Sequence, residues 1–589
     1  MRGPQHRIGS WSAPVLLSVV VAFAIAAAGL GQADQIFLEQ VEVSVVNVEV
    51  FVTDRSGRMI PDLTRDDFQV LEDGEPVAIS NFYVVRNGEV DVPAEAEELE
   101  EELVPIQPKQ LHLVVYVDNA NLSPANRNRA LAALQEFARE KLRPSDRVML
   151  VSSDGGLTVE QEMSANPDEI VAALGKLTES DAKGTLLELE RRSIVRDIQN
   201  VEMQSGGSGA GSAGALAQDT SAEEAAIVLE GIRDFAQREH NLVRQTIAGL
   251  KQFVGSLSGV PGRKAVLYLS DGLSMKPGEE LFYAWENRFS EFARDLGIGS
   301  MSAEATELRT DEYFEDLVAV ANASEVTFYA IRAAGGGPGA AVSGETPAFV
   351  DMGGSPAWTP ALDAVQSTNT GSPMRFLSEA TGGFAMVNAR NFDGMLDRMR
   401  EDFDTYYSLG YTVDHTDDQR THRIQVVVRD EDWKVRHRER YRHKTREEMT
   451  ADLTLSALFL DIESNPLQIA VEFGEAEPGA KSSQIVVPVI VKVPISKLVL
   501  LPQGDYHVGQ IRIAVAAKDV GGRSSPVQTL QVPVRIRNEQ LLTALGQVAG
   551  YRVQLGLRKI KSSVAVGVHD TLANLDSAVS VTYEPTPGP

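Results

Sequence analysis

The chain has 589 residues, 43% hydrophobic and 23% charged, the balance of a folded protein with room for about four domains at ~150 residues each. Lys plus Arg number 55 and Asp plus Glu 83, a net charge of −28 that argues against nucleic-acid binding, which needs a basic face to displace phosphate counterions. Cysteine is absent, which excludes thiolate zinc sites, a disulfide framework and a catalytic thiol.

The N-terminus has the layout of a secretory signal peptide over residues 1–33. Arg2 and Arg7 form the positive end, Val15 to Ala28 is apolar apart from Ser18, and Gly31 and Ala33 offer small residues for cleavage. It predicts a secreted or periplasmic protein; the alternative is an uncleaved anchoring helix. After residue 33 no segment is long and apolar enough to cross a bilayer.

Residues 38–86 read as a small β unit. Val41, Val43 and Val45 alternate in one phase and Val46, Val48, Val50 and Val52 in the other, which predicts a β-bulge. The unit is too short for a core of its own and is expected to pack on a neighbour. Residues 87–110 read as a solvated linker, with eight acidic side chains between Glu89 and Glu102 and no Lys or Arg among them.

From Leu111 strands and helices alternate. Leu111–Val117 and Lys264–Ser270 are apolar runs suited to strands buried on both faces, joined by strands at Arg147–Ser152 and Val326–Ile331. Helical patterns at 126–142, 167–177, 186–203, 222–257, 308–323, 375–381 and 391–404 predict an α/β fold with a doubly wound, mainly parallel sheet. Residues 204–220, 273–306 and 333–372 read as inserted loops. Short strands at 406–413, 421–428 and 433–435 follow, and the basic stretch Arg436–Arg446 reads as a charge-paired edge. Tyr406, Tyr407 and Tyr411 are expected in the core. Residues 451–589, with eight predicted strands from Leu453–Asp461 to Ala578–Tyr583, read as an immunoglobulin-like β-sandwich.

Asp118 and Asp271 each follow a buried strand, and ligands of open α/β sheets bind at the carboxyl ends of strands. Two such carboxylates can converge on one crevice with hydroxyls to form a Mg²⁺ site, or can cap the helices that follow. The strand ending in Asp118, the run Arg263–Gly272, the segment Leu377–Gly383, and Tyr406–Thr412 followed by His422–Val426 resemble the von Willebrand factor type A domain, in the version found in secreted proteins of acidobacteria and related bacteria. The resemblance covers 111 to about 447. It implies a metal-ion-dependent adhesion site in which Asp118, Thr185 and Asp271 hold Mg²⁺. The family's Asp-x-Ser-x-Ser pattern is degenerate here, because Ala120 and Leu122 stand at the serine positions. Mg²⁺ demands near-ideal octahedral oxygens, so water, or Asn121 and Ser123, would have to replace the lost hydroxyls.

Asn119, Asn121, Ser123 and Ser274 beside the carboxylates are the candidate partner contacts. The resemblance implies a non-catalytic binding or adhesion protein whose partner is another protein or a cell-surface component, and self-association is a further expectation. The alternatives are a structural component of an envelope assembly, and a hydrolase, for which no Gly-x-Ser-x-Gly or His-Glu-x-x-His motif is present.

Overall fold

In a computed structural model, the residues described are 44–86, 89–91, 111–201, 212–260, 263–295, 299–333, 360–387, 392–413, 420–460 and 464–585, apart from 480, 482 and 521–523. The expected signal peptide and nearly all of the acidic linker lie outside them. The chain divides into two compact units, Gln40–Asp452 and Leu453–Pro589. It is a mixed α/β protein with one six-stranded mixed sheet and several antiparallel sheets.

The first unit begins with β1 (Ser44–Thr53), β2 (Phe68–Glu72), β3 (Glu75–Val77), β4 (Ile79–Arg86) and β5 (Glu89–Asp91). The six-stranded sheet follows, built from β6 (His112–Asp118), β7 (Arg147–Ser153), β8 (Leu157–Ser164), β9 (Lys264–Ser270), β10 (Val326–Arg332) and β11 (Ala385–Val387). Its order is β11-β10-β9-β6-β7-β8, parallel except for β8. β6, β9 and β10 are buried along their whole length, as their unbroken apolar runs require. β8 was not expected. It alternates polar and apolar residues at the sheet edge and returns from β7 through Asp154-Gly155-Gly156, with Gly155 at φ +107°.

The first unit also holds the helices α1 (Pro124–Glu140), α2 (Pro167–Thr178), α3 (Gly184–Asn200), α4 (Ser212–Ser256), α5 (Glu279–Asp295), α6 (Met301–Glu307), α7 (Asp311–Ala323), α8 (Pro360–Ala380) and α9 (Asp393–Asp404). One core joins Leu113, Val115, Leu267 and Leu269 of the strands to Leu131 and Leu134 of α1, Leu174 of α2 and Met399 of α9. A second joins Ile194 and Ile198 of α3, Leu229 and Phe235 of α4, and Phe282 and Trp285 of α5. The expected loop at 273–306 is therefore corrected: α5 and α6 occupy most of it, and Leu281, Phe282 and Trp285 form a helical apolar stripe that ends at a kink at Phe289. Likewise 212–220 belongs to α4 and 360–372 to α8, while 202–211 and 334–359 lie outside the described residues.

The chain then returns through β12 (Thr405–Val413), β13 (His422–Val428), β14 (Lys434–His437) and β15 (Arg440–Tyr441). These pair with the N-terminal strands in the orders β14-β1-β12-β4-β5 and β15-β13-β2-β3. The expected N-terminal β unit is thus half of a body that residues 405–441 complete, with the α/β part inserted between. Its core is Val46, Val48, Val50 and Val52 against Tyr407, Leu409, Tyr411, Ile424 and Val426. β1 keeps an unbroken register against β12, so the expected bulge is absent from its described residues; the irregularity lies between Gly410 and Tyr411 where β12 meets β4. The basic stretch is paired as expected: Arg436 with Asp402, Arg442 with Glu448 and Lys444 with Asp452.

The expected strand at Leu453–Asp461 is also corrected, because α10 (Arg446–Leu460) covers 446–460. Its start carries a reciprocal cap: the Glu448 N–H donates to Thr445 Oγ1 at 3.2 Å, and the Thr445 N–H donates to Glu448 Oε2 at 2.8 Å. The second unit holds β16 (Ala470–Phe473), β17 (Glu477–Pro478), β18 (Gln484–Pro494), β19 (Leu501–Gln503), β20 (Tyr506–Asp519), β21 (Gln528–Arg537), the short α11 (Leu541–Leu545), β22 (Val548–Arg558), β23 (Ser562–Asp570) and β24 (Leu575–Tyr583). These strands form two antiparallel sheets, one centred on β18 and one on β20 and β23. Val487, Val489, Val491, Ile513, Val515, Leu555, Val566 and Val568 pack between them as one core.

Candidate functional site

Chain order along the sheet reverses between β6 and β9, whose carboxyl ends carry Asp118 and Ser270-Asp271. Three further segments close on this point. The start of α3 abuts the loop after β6 so tightly that a Cβ on Gly184 would lie 2.6 Å from the Leu122 carbonyl carbon. Gly272, at φ +119°, lies against Thr370 of α8, 2.8 Å from a Cβ placed there. Arg332, at the end of β10, donates from Nε to the Asp271 carbonyl at 3.0 Å and from Nη1 to Ser367 Oγ at 3.0 Å.

Asp118 is fully buried. The Asn121 amide spans its two oxygens, at 3.1 Å to Oδ1 and 2.9 Å to Oδ2. Tyr268 OH donates to Oδ2 at 2.6 Å and Ser270 Oγ at 3.0 Å. Burial pushes the Asp118 carboxyl above the usual range, and the donors from Tyr268, Asn121 and Ser270 offset part of that. The same burial, with Asp118 beside it, raises the Tyr268 phenol well above its ordinary value.

Asp271 accepts the Ser123 N–H at 2.8 Å and Asn126 Nδ2 at 2.9 Å. It therefore caps α1, across the crevice, rather than the helix that follows its own strand. Burial raises its carboxyl too, against the Ser123 N–H, the Asn126 amide and the Arg332 charge. Thr185 stands exposed in the first turn of α3.

The partner candidates separate. Asn121 and Ser123 belong to this cluster. Asn119 is buried beneath it, its carbonyl accepting the Lys183 N–H at 2.8 Å and its side-chain oxygen facing Arg127 Nη1 at 3.3 Å. Ser274 is buried away from the surface, donating to Glu239 Oε1 at 2.7 Å. Both side chains are buried, each about 3% exposed.

The residues do not fit an octahedral Mg²⁺ site. Both Asp118 oxygens face N–H and O–H donors, Leu122 points into the core beside Leu131, and among the described residues no cluster of three His, Cys, Asp or Glu is arranged to hold a metal.

Sequence reasoning missed a second polar cluster. Arg191 of α3 lies 2.8 Å from Glu188, 3.1 Å from Glu239 of α4 and 2.8 Å from Glu280 of α5, its guanidinium over the Phe235 ring. Glu239 also accepts the Gly278 N–H at 2.9 Å. The signal was available: Leu229, Ile232, Ala236, Val243, Ile247 and Leu250 form a buried heptad-like stripe along α4, and Glu239 falls on it. A carboxylate on such a stripe calls for a buried cation.

No protein-family model matches the chain, and no curated protein matches it.

Proposed function

We propose that the α/β part is a doubly wound, type A-like domain of an exported protein, and that its strand carboxyl-end face binds another protein or a cell-surface component without catalysis. The observation that carries this reading is the convergence of Asp118, Asp271 and the start of α3 where the strand order reverses, the usual place for a ligand on an open α/β sheet. The polar groups there are spent on one another: Ser270 donates to a carboxylate, and Asp271 caps a helix. Such an arrangement shapes a rigid surface rather than activating a nucleophile. Beside it α3 exposes Thr185, Leu186 (67% exposed) and Leu189 (43% exposed), side chains suited to a protein partner.

A displayed protein library selected on the full chain tests the reading, with the double variant Thr185→Arg, Leu186→Arg as the comparison. Ligands that lose at least tenfold in affinity for the variant support it. Selected ligands that bind both proteins equally overturn the assignment of this face.

A second reading, a structural role through self-association, is favoured by Leu542 (87% exposed) and Val548 (56% exposed) beside Leu545 in the second unit. A concentration-dependent oligomer lost in Leu542→Asp would support it.

A further inference from the structure

Resting on that reading of the face, we infer that it works without a cation, and that the side-chain amide of Asn121 takes the place a divalent metal would occupy on Asp118. A cation site needs carboxylate oxygens with open lone pairs directed at a common point, and neighbouring hydroxyls or waters to complete the shell. Here the opposite has been built. Asp118 Oδ2 accepts three donors, from Asn121, Tyr268 and Ser270, and Oδ1 accepts the Asn121 amide again. Asn121 Nδ2 also approaches Thr246 Oγ1 of α4, at 3.4 Å.

The backbone around it is equally committed. The Asn121 and Leu122 N–H groups both donate to the Asp118 carbonyl, at 3.1 and 2.9 Å, and the Leu122 carbonyl accepts the Gly184 N–H at 3.0 Å. This folds the loop so that residue 121 faces the carboxylate while residue 122 enters the core. The two substitutions that remove hydroxyls, Ala120 and Leu122, and the amide between them therefore act together. An apolar residue at 122 anchors the loop in the core, and an asparagine at 121 neutralises by hydrogen bonding what a cation would neutralise by charge.

Asn121 is thus a positioning residue. A partner meets a preformed surface over a sealed carboxylate, not an open coordination position.

The test is thermal unfolding of the full chain in chelator and in excess Mg²⁺, Mn²⁺ and Ca²⁺, with Asn121→Asp as the second protein. The wild-type transition of the first unit should be the same in chelator and in each metal. Asn121→Asp sets two carboxylates against each other; it should melt lower in chelator and recover by several degrees in divalent cation, the size of shift a saturating ligand produces. A rise of several degrees in the wild type that disappears in Asp118→Asn overturns the inference. Equal melting of wild type and Asn121→Asp in chelator overturns the positioning role. Neither readout involves a partner, so a failed partner selection would remove the binding reading without bearing on the cation-free Asn121–Asp118 arrangement, and a metal-dependent wild type would overturn that arrangement without bearing on the selection.

Discussion

Arg191 of α3 and Glu239 of α4 stand 3.1 Å apart inside the helical layer of the first unit, where a charge interrupts the apolar stripe of α4 between Ala236 and Val243. Glu239 passes the contact on. Its carboxylate accepts Ser274 Oγ and the Gly278 N–H, both in the loop that starts at Asp271. The ion pair therefore fixes the loop leaving the candidate face as well as the packing of two helices.

Removing the cation alone leaves Glu239 and Glu280 buried with no compensating charge. Arg191→Met should destabilise the first unit by roughly 3–5 kcal/mol, the cost of breaking a buried pair from one side. Arg191→Met combined with Glu239→Gln and Glu280→Gln should recover much of that loss. Denaturant unfolding of the three proteins would show it, and a single substitution without effect would refute the accounting.

The same cluster sets a pH dependence. Burial pushes Glu280 up to about 7, Arg191 opposing the rise and Glu239 adding to it. Glu188, the Ser274 hydroxyl and the Gly278 N–H complete the surroundings of the Arg191–Glu239 pair. The folded value lies above the ordinary 4.5, so the folded chain binds this proton more tightly than the unfolded chain. The stabilisation is fully present below about pH 4.5 and is lost as pH rises through about 7. Asp118 and Asp271, also raised by burial, act in the same sense. Relative to Glu280→Gln, wild type should gain stability as pH falls from 8 to 6, and Glu280→Gln should be more stable than wild type at pH 8 by on the order of 1–3 kcal/mol; His112 and His437, whose imidazoles burial holds below the ordinary 6.5, act in the opposite sense in both proteins. Melting curves across that range check both expectations.

The sheet was legible because burial on both faces leaves an apolar run with little ambiguity: Lys264–Ser270 was placed to the residue, and Val326 and Arg147 open their strands as expected. Elements at surfaces were harder. β8 pairs polar residues with a half-buried edge, and only Asp154-Gly155-Gly156 announced it. α5 runs through the expected loop at 273–306, where Leu281, Phe282, Trp285 and Phe289 keep helical spacing in the sequence. α10 lies where a strand at Leu453–Asp461 is expected, and the Thr445–Glu448 capping pair marks it as a helix. At the site, Asp118 and Asp271 were found from their places after buried strands. That Asn121 would face Asp118, and that Asp271 would cap α1, depend on loop backbone hydrogen bonds that no residue pattern specifies.

The inserted α/β part is fastened to the surrounding strands by an arginine. Arg263 lies 2.7 Å from Glu49 of β1 and donates to the Asp402 carbonyl of α9 at 2.7 Å. Its guanidinium lies 4.8, 4.3 and 4.9 Å from the ring centres of Phe51, Phe403 and Tyr406. An ammonium keeps the charge but neither the plane nor the fork. Arg263→Lys should cost roughly 1–3 kcal/mol in denaturant unfolding, and a neutral result would show that charge alone holds the junction.

Gly184 decides whether α3 can reach the loop after β6. A Cβ there would lie 2.6 Å from the Leu122 carbonyl carbon and 2.7 Å from the Asn121 carbonyl carbon and oxygen, all backbone, so no side-chain rotation relieves the clash. Helix propensity alone would make alanine the better residue inside α3, by up to about 1 kcal/mol. Overpacking against backbone works the other way and costs typically 1–3 kcal/mol. Gly184→Ala should therefore destabilise the first unit, and the helix start should retreat, lengthening the 3.0 Å bond from its N–H to the Leu122 carbonyl. Amide hydrogen exchange at 121–123 and at 184–186 should rise with it. An alanine variant of unchanged exchange and higher stability would mean that α3 approaches the loop less closely than 2.6 Å implies, and that its hold on Asn121 is weaker than the geometry requires.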